Sequence, residues 1–171
     1  MNLVMTISQN GYVARSASDD MSWTGPTDKA VFKLLTSTHP VLAVSAKTLE
    51  YMPKSLPGRG KLYALSTDPR KGVSLEDMTR FAPDAWLLGG QEIALYALKN
   101  GFVTKAYLCI ADTDVEPGPE AIQDRLRPYF EGRRYVKGRG SWWDQTLRVA
   151  VDSLMVEVWE RGSAVQNGQD S

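Results

Sequence analysis

Short apolar runs are the feature that most restricts what this chain can fold into. Five of them, rich in Val and Leu, recur between polar stretches: LVMTI (3–7), PVLAV (40–44), LYALS (62–66), AWLLGG (85–90) and KAYLCIA (105–111). Several are continuously apolar rather than alternating, which is typical of strands buried on both faces of a mainly parallel sheet. We therefore expect a sheet that is covered on both sides.

Helical candidates alternate with these runs, at 26–36, about 46–52, 75–80 and 91–99. Because strand and helix alternate along the chain, the sequence predicts an α/β fold with a mainly parallel central sheet and helices on both faces.

The C-terminal part has a different pattern. TLRVAV (146–151) and LMVEVWE (154–160) flank Asp152-Ser153, which predicts an antiparallel hairpin that closes the sheet. We expect a single domain over 1–161 and a disordered polar tail at 162–171.

Composition excludes several classes of protein. The 171 residues carry 20 Lys and Arg against 20 Asp and Glu, so the chain has no electrostatic signature for nucleic acid or an anionic membrane. One cysteine, Cys109, and one histidine, His39, leave little material for a zinc site or a Ser-His-Asp triad, and we expect no metal. With no signal-like N-terminus and no apolar stretch near the length of a membrane span, the expected location is the cytoplasm.

Three stretches between the predicted elements are long enough to be functional loops. They are SQNGYVARSASDDMSW (8–23), the acidic DTDVEPGPEA (112–121) and the basic, aromatic FEGRRYVKGRGSWWD (130–144). The last has the composition of a single-stranded nucleic-acid surface, but the neutral net charge disfavours that interpretation.

The helix expected at 26–36 combines a carboxylate with an apolar face. Asp28, Val31, Phe32 and Leu35 follow the i, i+3, i+4, i+7 spacing and share one side. If that side is buried, the pKa of Asp28 rises and the carboxyl group becomes a usable proton partner. The alternative is an ordinary acidic residue in a first helical turn, which suits the helix dipole.

Two strand-to-helix junctions offer groups for a phosphate. Gly89-Gly90 precedes a helix that begins near Gln91, where backbone N–H groups are free, although the pair is also compatible with a simple tight turn. Ser45 caps a second helix whose first turn holds Lys47, either beside a bound anion or directed into solvent. Together they suggest a dinucleotide lying across the sheet.

The turn SLPGRGK (55–61) carries Arg59 and Lys61 beside a Pro-Gly pair. It is either a solvated basic loop or an anion clamp at the mouth of a pocket.

In this order, these segments resemble dihydrofolate reductase over about residues 3–159. The resemblance is carried by SWTGPTDKAVFK, AKTLEYMPKSLPGR, LLGGQEIALYAL and AYLCIADTDVE. The variant Ala46-Lys47-Thr48 is most similar to reductases encoded by some bacteriophages, which would place the protein in the host cytoplasm.

The resemblance implies a folate site. Asp28 would pair with the 2-amino-pyrimidine edge of the pterin, Trp23 would order a water near that acid, and both would be catalytic. Arg59 would bind the α-carboxylate of the folate glutamate, which suits its planar guanidinium. The implied substrate-binding residues are Met5, Thr6, Asp28, Phe32, Leu56, Arg59, Leu88 and Cys109.

The resemblance also implies NADPH as the cofactor, with loop 8–23 as a lid over the nicotinamide and a cis Gly89–Gly90 bond. The implied cofactor-binding residues are Thr6, Val13, Ser45, Ala46, Lys47, Thr48, Ser66, Thr67, Gly89, Gly90, Gln91, Glu92 and Ile93. The implied reaction is hydride transfer to C6 of dihydrofolate with protonation at N5, by a monomer that antifolates inhibit.

The sequence departs from the family at two of these positions. Ala46 stands where many members have arginine, so Lys47 would supply the charge for the phosphate. Cys109 stands where a threonine usually bonds the catalytic acid. Two alternatives therefore remain: a reductase of another pterin or of a ribosylamino-pyrimidine, and a non-catalytic folate- or nucleotide-binding protein.

Overall fold

A seven-stranded sheet forms the centre of the computed structural model, which describes residues 1–37, 41–52, 60–131, 135–138 and 154–162. Its strands are β1 (Asn2–Ile7), β3 (Val41–Ser45), β4 (Lys61–Leu65), β5 (Trp86–Leu87), β6 (Lys105–Ala111), β8 (Tyr135–Gly138) and β9 (Leu154–Arg161). The order across the sheet is β4-β3-β5-β1-β6-β9-β8. The five strands from β4 to β6 pair in parallel, and β9 is antiparallel to both β6 and β8. A separate antiparallel pair joins β2 (Tyr12–Ala14) to β7 (Ile122–Gln123).

Five helices lie within the described residues, and local signals explain where several of them begin. They are α1 (Gly25–Thr36), α2 (Ala46–Leu49), α3 (Leu75–Phe81), α4 (Gln91–Lys99) and α5 (Arg127–Phe130), with a 3-10 turn at Ser22–Thr24. Pro26 lies in the first turn of α1, where a missing N–H costs nothing. Ser45 and Ser74 cap α2 and α3, since their hydroxyl oxygens accept from backbone N–H groups at 3.2 and 3.1 Å.

Two apolar cores lie on opposite faces of the sheet. On one face α1 contributes Val31 and Leu35 to a cluster with Val4 of β1. On the other face α3 and α4 pack against the side of β1 that carries Leu3. Neighbouring residues of a strand point to opposite faces, so a strand with a core on each side is apolar throughout. This confirms the α/β architecture with helices on both faces.

The five apolar runs are all strands of the central sheet, as predicted. The C-terminal prediction is confirmed for β9, but the antiparallel partner that the structure describes is β8, in the stretch 130–144 that we expected to be a loop. That expectation is wrong because Tyr135 is buried and Val136 is exposed, the alternation of a strand with one covered face. The segment 146–151 lies outside the described residues, as does the tail beyond residue 162.

Loop 8–23 is less irregular than expected, because it contains β2 and leads into the 3-10 turn. Within the described ranges, no helix combines the length and apolar character that a membrane crossing requires.

Candidate functional site

A cavity of about 930 Å³ opens where β1, β3, β4 and β5 end. The carboxyl ends of parallel strands meet at one edge of a sheet, which is where ligands bind in open α/β folds. Loop 8–23 and α1 line the cavity on one side, and the first turn of α4 lines it on another. Its volume is at the upper end of the usual range for small-molecule sites, roughly 300–1,000 Å³.

Asp28 is a buried carboxylate in the lining of this cavity. Asp28 is 7% exposed, and the Thr6 hydroxyl donates a hydrogen bond of 2.7 Å to Asp28 Oδ1. Burial raises the pKa of Asp28, while the hydroxyl groups of Thr6 and Thr24 and the charge of Lys29 act against that rise. Phe32, one turn along α1, also lines the cavity. The face predicted from residue spacing is therefore buried, and its carboxyl group is suited to proton-linked binding.

Cys109 lies outside the cavity lining, in the core cluster beneath α1, although the sequence led us to expect a substrate contact there. It is 1% exposed and pairs with Thr6 across β6 and β1. Burial and the nearby Asp28 carboxylate raise the pKa of the Cys109 thiol, while hydrogen bonding with Thr6 acts in the opposite direction. The thiol is therefore protonated and unreactive at neutral pH.

A second buried carboxylate organises the lid loop. Asp19, whose side chain is 1% exposed, pairs with Arg15 at 2.8 Å and accepts 2.8 Å and 2.9 Å bonds from the Met21 N–H and the Trp23 indole N–H. Burial acts to raise the pKa of Asp19, but these hydrogen bonds outweigh it and lower the pKa to about 2. Trp23 thus bonds to Asp19 and is not among the residues that line the cavity beside Asp28.

The two strand-to-helix junctions are in contact. The Gly89–Gly90 peptide bond is cis, as the resemblance implies. The Ser45 N–H donates to the carbonyl oxygen of Gly89 at 2.7 Å, and the Gly90 N–H donates to Ser45 Oγ at 3.3 Å. A Cβ at Gly90 would lie 2.8 Å from Thr48 Oγ1, so only glycine allows this close approach.

These junctions present several groups that could bind phosphate. The N–H groups of Gln91, Glu92 and Ile93 have no partner within α4, because the helix ladder starts with the Ala94 N–H. The same three residues line the cavity together with Lys47 and Thr48. Glu92 is an acid at this helix start, and its carboxylate pairs with Arg125. A phosphate would therefore meet backbone donors, a hydroxyl and an ammonium group.

Most of the predicted site residues share this cavity. Those that line it are Met5, Thr6, Val13, Asp28, Phe32, Ser45, Lys47, Thr48, Ser66, Thr67, Leu88, Gly90, Gln91, Glu92 and Ile93. Those that do not line it are Trp23, Ala46, Gly89 and Cys109. Leu56 and Arg59 lie outside the described residues.

Two residues at one end of the cavity were not predicted from the sequence. Glu76 of α3 and Tyr96 of α4 both line it, and the Tyr96 hydroxyl donates to the Glu76 carboxylate. They meet only because two helices pack side by side, so no local pattern could have predicted the pair. Among the residues described, no group of three or more His, Cys, Asp or Glu side chains could hold a metal ion.

In comparisons with known proteins, no family model matches the chain, and no curated protein shows significant similarity to it.

Proposed function

We propose that this chain is an NADPH-dependent dihydrofolate reductase. The observation that carries the proposal is the position of Asp28: a buried carboxylate, oriented by the Thr6 hydroxyl, in a cavity that also reaches the start of α4. A carboxylate offers two acceptor oxygens side by side, which matches the paired N–H groups of a 2-amino-pyrimidine edge.

The walls around Asp28 suit a flat, largely apolar ring. Met5, Phe32 and Leu88 line this part of the cavity and supply apolar surface. Arg59 remains the predicted partner for the glutamate carboxylate of a folate.

The other part of the cavity has the donor groups that a dinucleotide needs. Thr48, Lys47 and the N–H groups at the start of α4 would hold phosphate oxygens, and Ser66 and Thr67 would hold the adenosine ribose. When bound, NADPH would supply the hydride that reaches C6 of the substrate.

The chain's own groups would position the reactants and balance the charge. Asp28 would bind the pyrimidine edge of the pterin and stabilise the positive charge that develops as N5 takes up a proton. Residues 13–21 of the lid, held in shape by Asp19, would exclude water from the reacting centre.

Steady-state oxidation of NADPH with dihydrofolate as substrate tests this proposal. We expect Asp28→Asn to keep the fold and to lower kcat/KM at least about 100-fold near pH 7, the usual effect of losing a positioned acid–base group. Part of the rate should return near pH 5, where more of the substrate is already protonated at N5.

The matched control is Asp84→Asn, which makes the same chemical change at an exposed position just before β5, at the opposite edge of the sheet from the cavity. It should leave kcat/KM at the parental value. Parental activity of Asp28→Asn from pH 5 to 9 would show that the proposal is wrong. Turnover of another pterin or pyrimidine alone would replace the substrate, and binding of both ligands without turnover would identify a binding protein.

A further inference from the structure

We infer that Thr6 is the positioning residue of Asp28: its hydroxyl fixes the orientation of the carboxylate and favours its ionised form. The inference rests on the proposed function only for its catalytic consequence. Its structural part follows from the 2.7 Å hydrogen bond between Thr6 Oγ1 and Asp28 Oδ1, from the burial of Asp28, and from the place of both residues in the lining of one cavity.

An ionised carboxylate accepts a hydrogen bond more strongly than a protonated carboxyl group does, so a donor directed at it favours the charged state. This matters most where the carboxylate is buried, because water cannot replace the donor. Asp28 is 7% exposed and therefore depends on protein groups for that stabilisation.

The neighbouring groups contribute less to this role. The Thr24 hydroxyl also acts to lower the pKa of Asp28, though less than Thr6 does, and it donates to the carbonyl oxygen of Met21 at 2.9 Å. Cys109, the register partner of Thr6 on β6, presents a thiol, which is a weak donor. Thr6, with its 2.7 Å hydrogen bond, is thus the main hydroxyl donor to Asp28.

Other charged or titratable groups surround this contact. Lys29 follows Asp28 on α1, and Cys109 faces it from β6. Asp19 and Asp20 line the same cavity from the lid, and both pair with Arg15. Of these groups, Cys109 hydrogen-bonds with Thr6, and the loss of that bond leaves its thiol protonated and uncharged. A shift in the titration of Asp28 would therefore report on the Thr6 hydroxyl.

Carbon-13 NMR of the aspartate carboxylates tests the inference directly, with the Asp28 signal assigned from its loss in Asp28→Asn. In Thr6→Val, which keeps the shape and removes the donor, the titration midpoint of Asp28 should rise by about one pH unit or more, the effect of losing a hydrogen bond to a charged group. Thr6→Ser keeps the hydroxyl and should stay within a few tenths of a unit of the parent.

A hydroxyl group placed at residue 109 instead of residue 6 should restore the titration midpoint of Asp28. Residues 6 and 109 are neighbours on adjacent strands, about 5 Å apart, and their side chains share one face. Thr6→Val/Cys109→Thr should therefore recover most of the shift. If Thr6→Val does not fold, Thr6→Ala gives the same readout.

An unchanged midpoint in the variant that lacks the hydroxyl would overturn the inference, and so would an equal shift in Thr6→Ser. The activity assay and the titration together distinguish failure of this inference from failure of the proposed function. If dihydrofolate is not reduced but the midpoint shifts, the reductase proposal fails and the positioning role stands. If the parent is active and the midpoint does not move, the positioning role fails alone.

Discussion

In the proposed function, Asp28 combines binding of the substrate with a cost in stability. Burial raises its pKa above the ordinary aspartate value of 3.8, so the folded protein holds the charged form less favourably than the unfolded chain does. The contribution of Asp28 to the free energy of unfolding should therefore be most favourable in acid, fall as the pH rises through 3.8 towards the folded-state pKa, and stay constant above it.

Asp28→Asn removes this dependence. We expect the variant without ligands to be more stable than the parent at pH 7, with a difference that shrinks as the pH is lowered to 3. Urea denaturation at pH 3, 5 and 7 measures both. Asp84→Asn, at an exposed position, should show no such trend. A variant less stable than the parent at pH 7, or a difference independent of pH, would contradict this account of the Asp28 environment.

Residue spacing predicted part of this environment. The i, i+4 relation between Asp28 and Phe32 is a property of any helix, so it was visible in the sequence. The bond from Trp23 to Asp19 was not, because it depends on the path of an irregular loop and on Met21, whose φ is +61°. Thr6 and Asp28 come together only when α1 packs onto β1.

At the scale of elements, the two strand-to-helix junctions act as one unit. Gly90 leads into α4 and approaches the side chain of Thr48 in α2, and the Ser45 hydroxyl bonds to both Gly90 and Thr48. The proposed phosphate site therefore depends on a contact between two turns that lie 45 residues apart in the sequence.

Gly90→Ala tests that contact. Its Cβ would lie 2.8 Å from Thr48 Oγ1, so the Thr48 side chain must leave its hydrogen bond with Ser45 or one of the two turns must move. We expect a loss of about 1–3 kcal/mol in unfolding free energy, as for other overpacked sites, and a marked weakening of NADPH binding measured by calorimetry.

Two further variants make the result specific. Gly118→Ala adds the same methyl group where no heavy atom lies within 4 Å, and it should change neither quantity. Thr48→Ala removes the atom that the methyl group meets, so Gly90→Ala should cost less in that background. Equal effects of Gly90→Ala and Gly118→Ala on the unfolding free energy and on NADPH binding would show that the close contact is unimportant.

Local signals predicted the long elements, and pairing between distant segments decided the others. Pro26 and the Gly89-Gly90 pair marked the starts of α1 and α4. In contrast, β8 is a strand because β9 pairs with it, and β2 has only three residues and pairs with β7. The β7 segment is held in place by the Gln91 side chain, which donates to the carbonyl oxygen of Gln123 and accepts from the Arg125 N–H, both at 2.9 Å. Such long-range contacts leave no periodicity in the sequence.

At the scale of the whole molecule, one cavity connects the two ends of the proposed site. It extends from Asp28 on α1 to Ser66 and Thr67 after β4, and the start of α4 lies along it. Because the strand order places β5 between β3 and β1, residues from widely separated parts of the chain converge at one edge of the sheet. The central claim of the proposal is that a donor and an acceptor of hydride are bound side by side in this cavity.

Transfer of a labelled hydride tests that claim most directly. NADPH carrying deuterium at both C4 positions of the nicotinamide is incubated with dihydrofolate and the protein, and the product is analysed by mass spectrometry and NMR. We predict tetrahydrofolate with one deuterium at C6, formed by the parent and by Asp84→Asn and at least about 100-fold more slowly by Asp28→Asn. Unlabelled product, or no product while both ligands are shown to bind, would contradict the proposal.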